Sequence, residues 1–434
     1  MIYYTIYIIL FLLGFTICLF PQTYPEKSNL RITAFIIVST AMVIFLWKFT
    51  IPGAYYVDFT KAYYPAGQII LSNPESLYQG KLPEFVNIPI VAFLFYPLSQ
   101  MTINYAIISW VFVSFFTVAI CCYWVIRIGH FKGYDCLLVV WLFITSGPLF
   151  YSIRLGNTTH FLLLLICAII AWRDQKPFIA GSLTAFCAFI KLPLILLGFY
   201  YVFRKRWSMA IGFWLTTLVI ISCSYLIFGT DLHNKWYTEA IGRYSDKVIG
   251  AYNNQSINGF LAHLRPNNHL YSWLESSYGW KFNVARHFLI MFFVVLTGWI
   301  LWQPKAQSNR DEFNLEFFAI ICLSILISPI SWIHYYVLLL VPTAFFVLEK
   351  DREYLNTLKP RINIKSKILI LVIAFNALPV FHTLSNIGVS GNHFYEYLFK
   401  HIFISHYFFG GTLFLWFCLL KKREASTVFA KVES

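Results

Sequence analysis

Residues 53–67 read GAYYVDFTKAYYPAG, and the single carboxylate among them, Asp58, follows an apolar run and is ringed by tyrosines. An acid in that position has two readings. As an N-cap it accepts a backbone N–H at the start of a short helix running from Phe59 toward Leu71, with Lys61 three residues on as an ion-pair partner. As a general base it takes a proton from a hydroxyl at the edge of a membrane. The tyrosines suit both, as interface anchors or as a surface on which a sugar stacks.

Four further segments carry residues of a chemical kind. RLGNTTH, 154–160, is a polar turn between two apolar spans, and Arg154 offers there either a five-donor fork for phosphate oxygens or an ordinary snorkelling side chain. Lys191 sits in FIKLPL, where a cation inside an apolar segment costs about 2.5–3.5 kcal/mol on insertion scales. Its counter-charge is either a protein carboxylate or a bound anion. AYNNQSINGFLAHLR, 251–265, gathers Asn253, Asn254, Gln255, Ser256, His263 and Arg265. Such amides and hydroxyls give the two-way hydrogen bonding that sugar hydroxyls need, and equally make a solvated Asn-rich turn. SPISWIHYY, 328–336, sets Trp332 and His334 at the entrance of a helix, as ligands or as interface residues.

The elements that must position these groups follow from composition. The 434 residues are 59% hydrophobic and 12% charged, about half the charge of a soluble domain, and mean hydropathy is +0.65. Apolar runs long enough to cross a ~30 Å hydrocarbon layer as helices recur along the chain, so the expected fold is all-α, multi-pass and transmembrane. The net charge of +14 does not imply nucleic acid, because the basic residues lie in short inter-helix loops rather than in one stripe. The nine cysteines lie in or beside apolar segments, without disulfide or metal-ligand spacing. No metal and no cofactor are expected.

About 13 membrane segments are expected, from a retained helix at 1–20 to a last span at 402–420, among them 103–127, 136–153 and 207–228. The pair 178–190 and 194–203 reads as a short hairpin with Lys191 and Pro193 in its turn, flanked by Arg173, Lys176 and the run Arg204, Lys205, Arg206. Placing the basic loops in the cytoplasm puts the amino terminus outside, together with the two long polar loops 51–85 and 229–283. No repeat and no tandem soluble domain is evident, so 1–434 is read as one membrane-embedded domain. All five chemical segments then share the exoplasmic face. A transporter or flippase for a lipid-linked or polar solute is an alternative, as is a non-enzymatic assembly factor. Transporters, however, favour internal repeats and midplane sites.

The chain resembles glycosyltransferase family 87, the polyprenol-phosphate-mannose-dependent enzymes of the GT-C membrane fold, from about residue 55 to 345. The resemblance rests on DF…YY…AG (Asp58, Phe59, Tyr63, Tyr64, Ala66, Gly67), Gly156-Asn157, AG…KLP (Ala180, Gly181, Lys191, Pro193), NQS..G (Asn254, Gln255, Ser256, Gly259) and SPISW.H (Ser328 to Trp332, His334). It departs from the family at Asn87-Ile88-Pro89, where Tyr-Pro-Pro is frequent. It departs also at Asn157 for Gln, His263 for Arg and Tyr335 for a second His. The resemblance implies transfer of a hexose, mannose by family habit, from a polyprenyl-phosphate donor to a glycan or glycolipid acceptor on the outer side of the cell membrane. No nucleotide is needed. On these residues the expected reaction is a single in-line displacement with inversion, with Asp58 as base and Lys191, Arg154, His334 and Arg265 at the donor phosphate. Asn157, Tyr63, Asn254, Gln255, Ser256 and Trp332 would lie at the sugar or acceptor.

Overall fold

The computed structural model describes residues 2–19, 28–49, 55–78, 85–242, 247–265, 268–302, 309–354, 364–380 and 402–432. They form an all-α multi-pass membrane protein. Five helices are long and apolar enough to cross a membrane alone, and a pair bent by 52° makes a sixth; the other expected spans are apolar helices of 10–17 residues. Length and composition alone therefore do not establish thirteen crossings.

Helices α1 (Ile2–Leu19) and α2 (Ser28–Phe49) pack as a pair. Arg31 donates to the carbonyls of Ile17 (2.6 Å) and Cys18 (2.9 Å), satisfying acceptors that a helix C-terminus leaves open. Two short helices, α3 (Tyr64–Ile69) and α4 (Tyr96–Ser99), precede the long α5 (Ile103–Ile128). The expected span 136–153 is broken into α6 (Tyr134–Thr145) and α7 (Gly147–Leu155). The break falls where Pro148 cannot continue a helix, and the Ser146 hydroxyl caps α7 by accepting from Leu149 N.

The hairpin expected around Lys191 is present. Helix α8 (Phe161–Trp172) leads into α9 (Pro177–Ile190), the turn passes through Lys191 into a 3-10 segment Leu192–Ile195, and α10 (Leu196–Phe203) returns. Helix α11 (Trp207–Lys235) lies against α9 at backbone distance. A Cβ on Gly181 would sit 2.0 Å from the Met209 carbonyl oxygen, and one on Gly212 2.1 Å from that of Phe178. Small residues are how membrane helices approach this closely. Helix α11 does not stop at residue 228 as expected: after a non-helical Gly229 the helical course continues to Ile241. His233 spans that break, bonding the Gly229 carbonyl (2.6 Å) and the Ser224 hydroxyl (2.9 Å).

The following loop holds a two-stranded ribbon, β1 (Lys247–Ile249) paired antiparallel with β2 (Glu275–Ser277), and α12 (Ile257–His263). Helices α13 (Trp280–Trp302), α14 (Asn309–Ile327), α15 (Leu340–Tyr354), α16 (Ile364–Ala377) and α17 (His406–Val432) complete the bundle, with a 3-10 segment Ile333–Leu339 before α15.

One apolar core runs through the bundle, and a second, smaller one gathers Phe59, Tyr63, Ile70, Phe95, Trp110 and Leu232. It includes a 3-10 segment, Pro89–Phe95, which the sequence reading left out of every span. That segment and α4 pack residues 59–78 down onto α5 and α11. At the far end of the α9–α10 hairpin from Lys191, the buried Glu316 carboxylate of α14 binds Arg204 (2.6 Å), Lys422 of α17 (3.1 Å) and the Tyr200 hydroxyl (2.9 Å). A 14-residue helix spans about 21 Å, so this basic cluster and Lys191 mark opposite ends of the bundle.

Candidate active site

Asp58 stands directly before a π-helical turn, Phe59–Tyr63, with helical backbone angles of −63° and −39°, and its side chain does not cap that turn. Its Oδ2 instead accepts a hydrogen bond of 2.6 Å from Asn157 Nδ2. Two contacts bring these distant positions together. Tyr56 N donates to the Arg154 carbonyl (2.8 Å), and Gly156 ends α7 with φ +70°, lying so close that a Cβ would be 2.7 Å from Phe59 Cβ. Only glycine takes that backbone conformation without cost. Below, Phe59 is fully buried and stacks on Trp110 (centroids 4.8 Å), while Tyr63 stacks on Phe95 (4.6 Å). The acid therefore rides on an aromatic platform.

Asn157 is itself held from behind. Its Oδ1 accepts from Thr159 N (3.0 Å) and Thr159 Oγ1 (2.7 Å), which directs its two N–H bonds forward, to Asp58 and to the Tyr63 hydroxyl (3.2 Å). Burial, and next the charge of Asp58, push the Tyr63 phenol up, so it stays a neutral donor and acceptor.

Lys191 is 8% exposed, its ammonium 4.3 Å from the centroid of the Tyr335 ring. Among the described residues it is in no ion pair. Burial pulls it down to about 7, with the Asp58 charge opposing that fall, so carboxylate and ammonium share one electrostatic environment. Beyond Tyr335 lies His334, 2% exposed and stacked on Tyr151 (6.2 Å). Neither of its ring nitrogens has a hydrogen-bond partner among the described residues. His160, fully buried, bonds Ser152 through Nδ1 (3.0 Å) and likewise leaves Nε2 without one. Buried polar atoms left open in this way are costly, and here they gather beside a buried cation. His160 lies in the RLGNTTH segment, where the charge of Arg154 is the stronger sequence signal.

The amide segment behaves differently from the expectation. Asn254, Gln255 and Ser256 are all fully buried, neither in a solvated loop nor facing an open cleft. Asn254 donates to the Ile249 carbonyl and accepts from Ser256 and from Ser331 N. Gln255 ties together Tyr252, Ile404 and Phe408. Ser256 caps α12 by accepting from Gly259 N. Their hydrogen-bonding groups are occupied by the protein, so their assignment to a sugar is withdrawn. What they hold in place is the SPISWIH segment. Gln255 N donates to the Ser331 carbonyl (2.6 Å), Ile333 N to that of Asn253 (3.0 Å), and Asn254 bridges to Trp332. The half-buried Trp332 is thus fixed by that pairing, with His334 two residues on. Asn253 completes the seam, donating to the Tyr151 hydroxyl and accepting from Trp273.

The two arginines are also placed otherwise than expected. Arg154 donates to the Trp47 carbonyl (2.8 Å) and lies 4.4 Å from the Tyr55 ring, tying α7 to the end of α2. Arg265 stacks on Tyr278 (4.8 Å) and lines a separate open hollow of about 430 Å³ with Trp280 and Lys281. His263, where the family favours arginine, bonds Ser405 and the Ala251 carbonyl. The structure therefore unites Asp58, Asn157, Tyr63, Lys191 and His334, with Tyr151, His160 and Tyr335 added, and leaves Arg265 out. Among the described residues no three of His, Cys, Asp and Glu gather to hold a metal ion.

A carboxylate, a buried ammonium and imidazole nitrogens left open among the described residues suit transfer of a group onto a hydroxyl from an anionic leaving group. The sequence profile of glycosyltransferase family 87 matches residues 85–329, more than half of the chain. The chain belongs to glycosyltransferase family 87. It is similar to a polyprenol-phosphate-mannose-dependent alpha-(1-2)-phosphatidylinositol pentamannoside mannosyltransferase of Mycolicibacterium smegmatis (strain ATCC 700084 / mc(2)155), 23% identical over 347 residues, covering 76% of this chain and 78% of that protein. Family 87 membership makes the chain a membrane glycosyltransferase, which displaces the transporter and assembly-factor alternatives. The profile takes in Arg154, Asn157, Lys191 and Asn254 of this glycosyltransferase; Asp58, Trp332 and His334 lie outside it, and their roles rest on geometry.

Proposed function

We propose that the protein transfers a mannosyl group from a polyprenyl-phosphate donor to a hydroxyl of a glycolipid or glycan acceptor, at the exoplasmic side of the membrane and with inversion. The observation that carries this reading is the Asp58 carboxylate, held at 2.6 Å by Asn157 and in the same electrostatic environment as the buried Lys191. In the step, the acceptor oxygen attacks the anomeric carbon, the bond from that carbon to the phosphate oxygen breaks, and the acceptor's proton passes to Asp58. Attack acidifies the hydroxyl, which lets a carboxylate take up its proton. Polyprenyl phosphate leaves as an anion, neutralised by Lys191 and hydrogen-bonded by His334, with no cofactor and no metal required. Trp332 and Tyr63 border the sugar. The exoplasmic assignment is supported by the basic residues Arg173, Lys176, Arg204 and Lys422 at the opposite end of the bundle, where the positive-inside rule puts the cytoplasm.

The test is to incubate the purified protein with labelled polyprenyl-phosphate mannose and glycolipid acceptors and to determine the anomeric configuration of the product by NMR. A new glycosidic bond of configuration opposite to the donor's is expected. A retained configuration would overturn the single-displacement mechanism, and no sugar transfer to any acceptor would overturn the substrate assignment.

A further inference from the structure

We propose that Asn157 is the positioning residue of the catalytic base: its side-chain amide, locked by Thr159, aims the Asp58 carboxylate toward the acceptor hydroxyl. The inference rests on the reading of Asp58 as the base, and it replaces the expected role of Asn157 as a sugar ligand. Asn157 is 3% exposed. Each of its polar atoms is engaged. Oδ1 takes two donors from Thr159, the backbone N–H (3.0 Å) and the hydroxyl (2.7 Å). Because both are donors, the oxygen must face them, and the amide cannot be turned over without setting N–H against N–H. Nδ2 then has its two hydrogens directed at Asp58 Oδ2 (2.6 Å) and Tyr63 Oη (3.2 Å). The Tyr63 hydroxyl is within 3.4 Å of Thr158 Oγ1.

The arrangement is a relay of orientation rather than of protons. Gly156 turns the chain at φ +70°, Asn157 to Thr159 follow in a local turn, and the amide reaches across 99 positions of sequence to the acid. A positioned base gains rate from such a restriction: a misplacement of about 1 Å costs on the order of 100-fold. A hydrogen bond donated to a carboxylate favours its ionised form. The other charged or titratable groups whose fields meet that of Asp58 are Lys191 in the α9–α10 turn, Tyr63 in the π-helical turn and Tyr151 on α7; Lys61 lies on its own turn.

The experiment compares Asn157→Asp, Asn157→Leu and Asn157→Gln with the unsubstituted enzyme and with Asp58→Asn. It measures kcat against pH, and binding of polyprenyl-phosphate mannose at equilibrium. Asn157→Asp keeps the shape and the Thr159 contacts while removing the donor to Asp58. We expect kcat to fall roughly 10–100-fold in Asn157→Asp and Asn157→Leu. The acid limb should move to higher pH in both, with the alkaline limb and donor affinity unchanged in the neutral variant Asn157→Leu. Asn157→Gln, which retains the donor and matches the residue frequent in the family, should recover much of the rate and restore the acid limb. Loss of rate with the acid limb in place, or loss of donor binding in Asn157→Leu, would overturn the positioning role. Near-normal turnover in Asp58→Asn would instead overturn the reading of the base, a result the Asn157 variants do not mimic.

Discussion

At the scale of single residues, the site is a contest between burial and charge. Lys191 is the clearest case: burial lowers its ammonium to about 7 while Asp58 holds it up, so without donor the cation is lost as pH rises through neutrality. A phosphate needs that cation, and binding above pH 7 must therefore take up a proton. Donor affinity should weaken as pH rises beyond about 7 with a limiting slope of about tenfold per pH unit. Lys191→Arg should flatten the dependence, since guanidinium stays charged, and Lys191→Met should bind weakly at every pH; equilibrium binding across pH 5.5–9 checks all three. The residue types that sequence reading favoured divide along a physical line. Asp58 and Lys191 were legible because charge in an apolar setting demands a reason. Whether Asp58 capped a helix or faced outward was not, because both uses need an acid in front of a helix and the deciding partner, Asn157, is 99 positions away. Asn254, Gln255 and Ser256 misled because the amides and hydroxyls that grip a sugar are the same groups that pair irregular backbone.

Among the elements, the turn that ends α7 matters most to the chemistry. Gly156 has positive φ and touches Phe59, so it controls how the Asn157 turn meets the Asp58 turn. Gly156→Ala is expected to cost about 1–3 kcal/mol through backbone strain and to lower turnover more than donor binding. Thermal unfolding in detergent and steady-state transfer measure the two effects, and a variant unchanged in both would remove this contact from the account. The hairpin carrying Lys191 was readable from its flanking arginines and lysines. The segment Pro89–Phe95 was not, because Pro89 and Pro97 interrupt the pattern from which helices are read, and the chain resolves the conflict as a 3-10 segment followed by a single α-turn. The extension of α11 was missed for a related reason. Gly229 reads as a terminator, yet His233 ties the two sides of the break together.

Across the whole molecule, composition was enough for the class: a chain with this little charge must bury its backbone bonds in helices within lipid. The number of crossings was less accessible, since short apolar helices and a bent pair do not reveal by length alone how they meet a bilayer. Polarity along the bundle is clearer. One end gathers Arg173, Arg204 and Lys422 around Asn314 and Glu316, and the other gathers Asp58, Lys191 and His334. In the proposed mechanism the second end is the place of sugar transfer and Asp58 is the base. The most direct test is single-turnover transfer by Asp58→Asn in purified protein saturated with polyprenyl-phosphate mannose, with donor binding measured on the same sample. The account predicts normal donor affinity and transfer reduced by at least about 100-fold; transfer at close to the unsubstituted rate would contradict it.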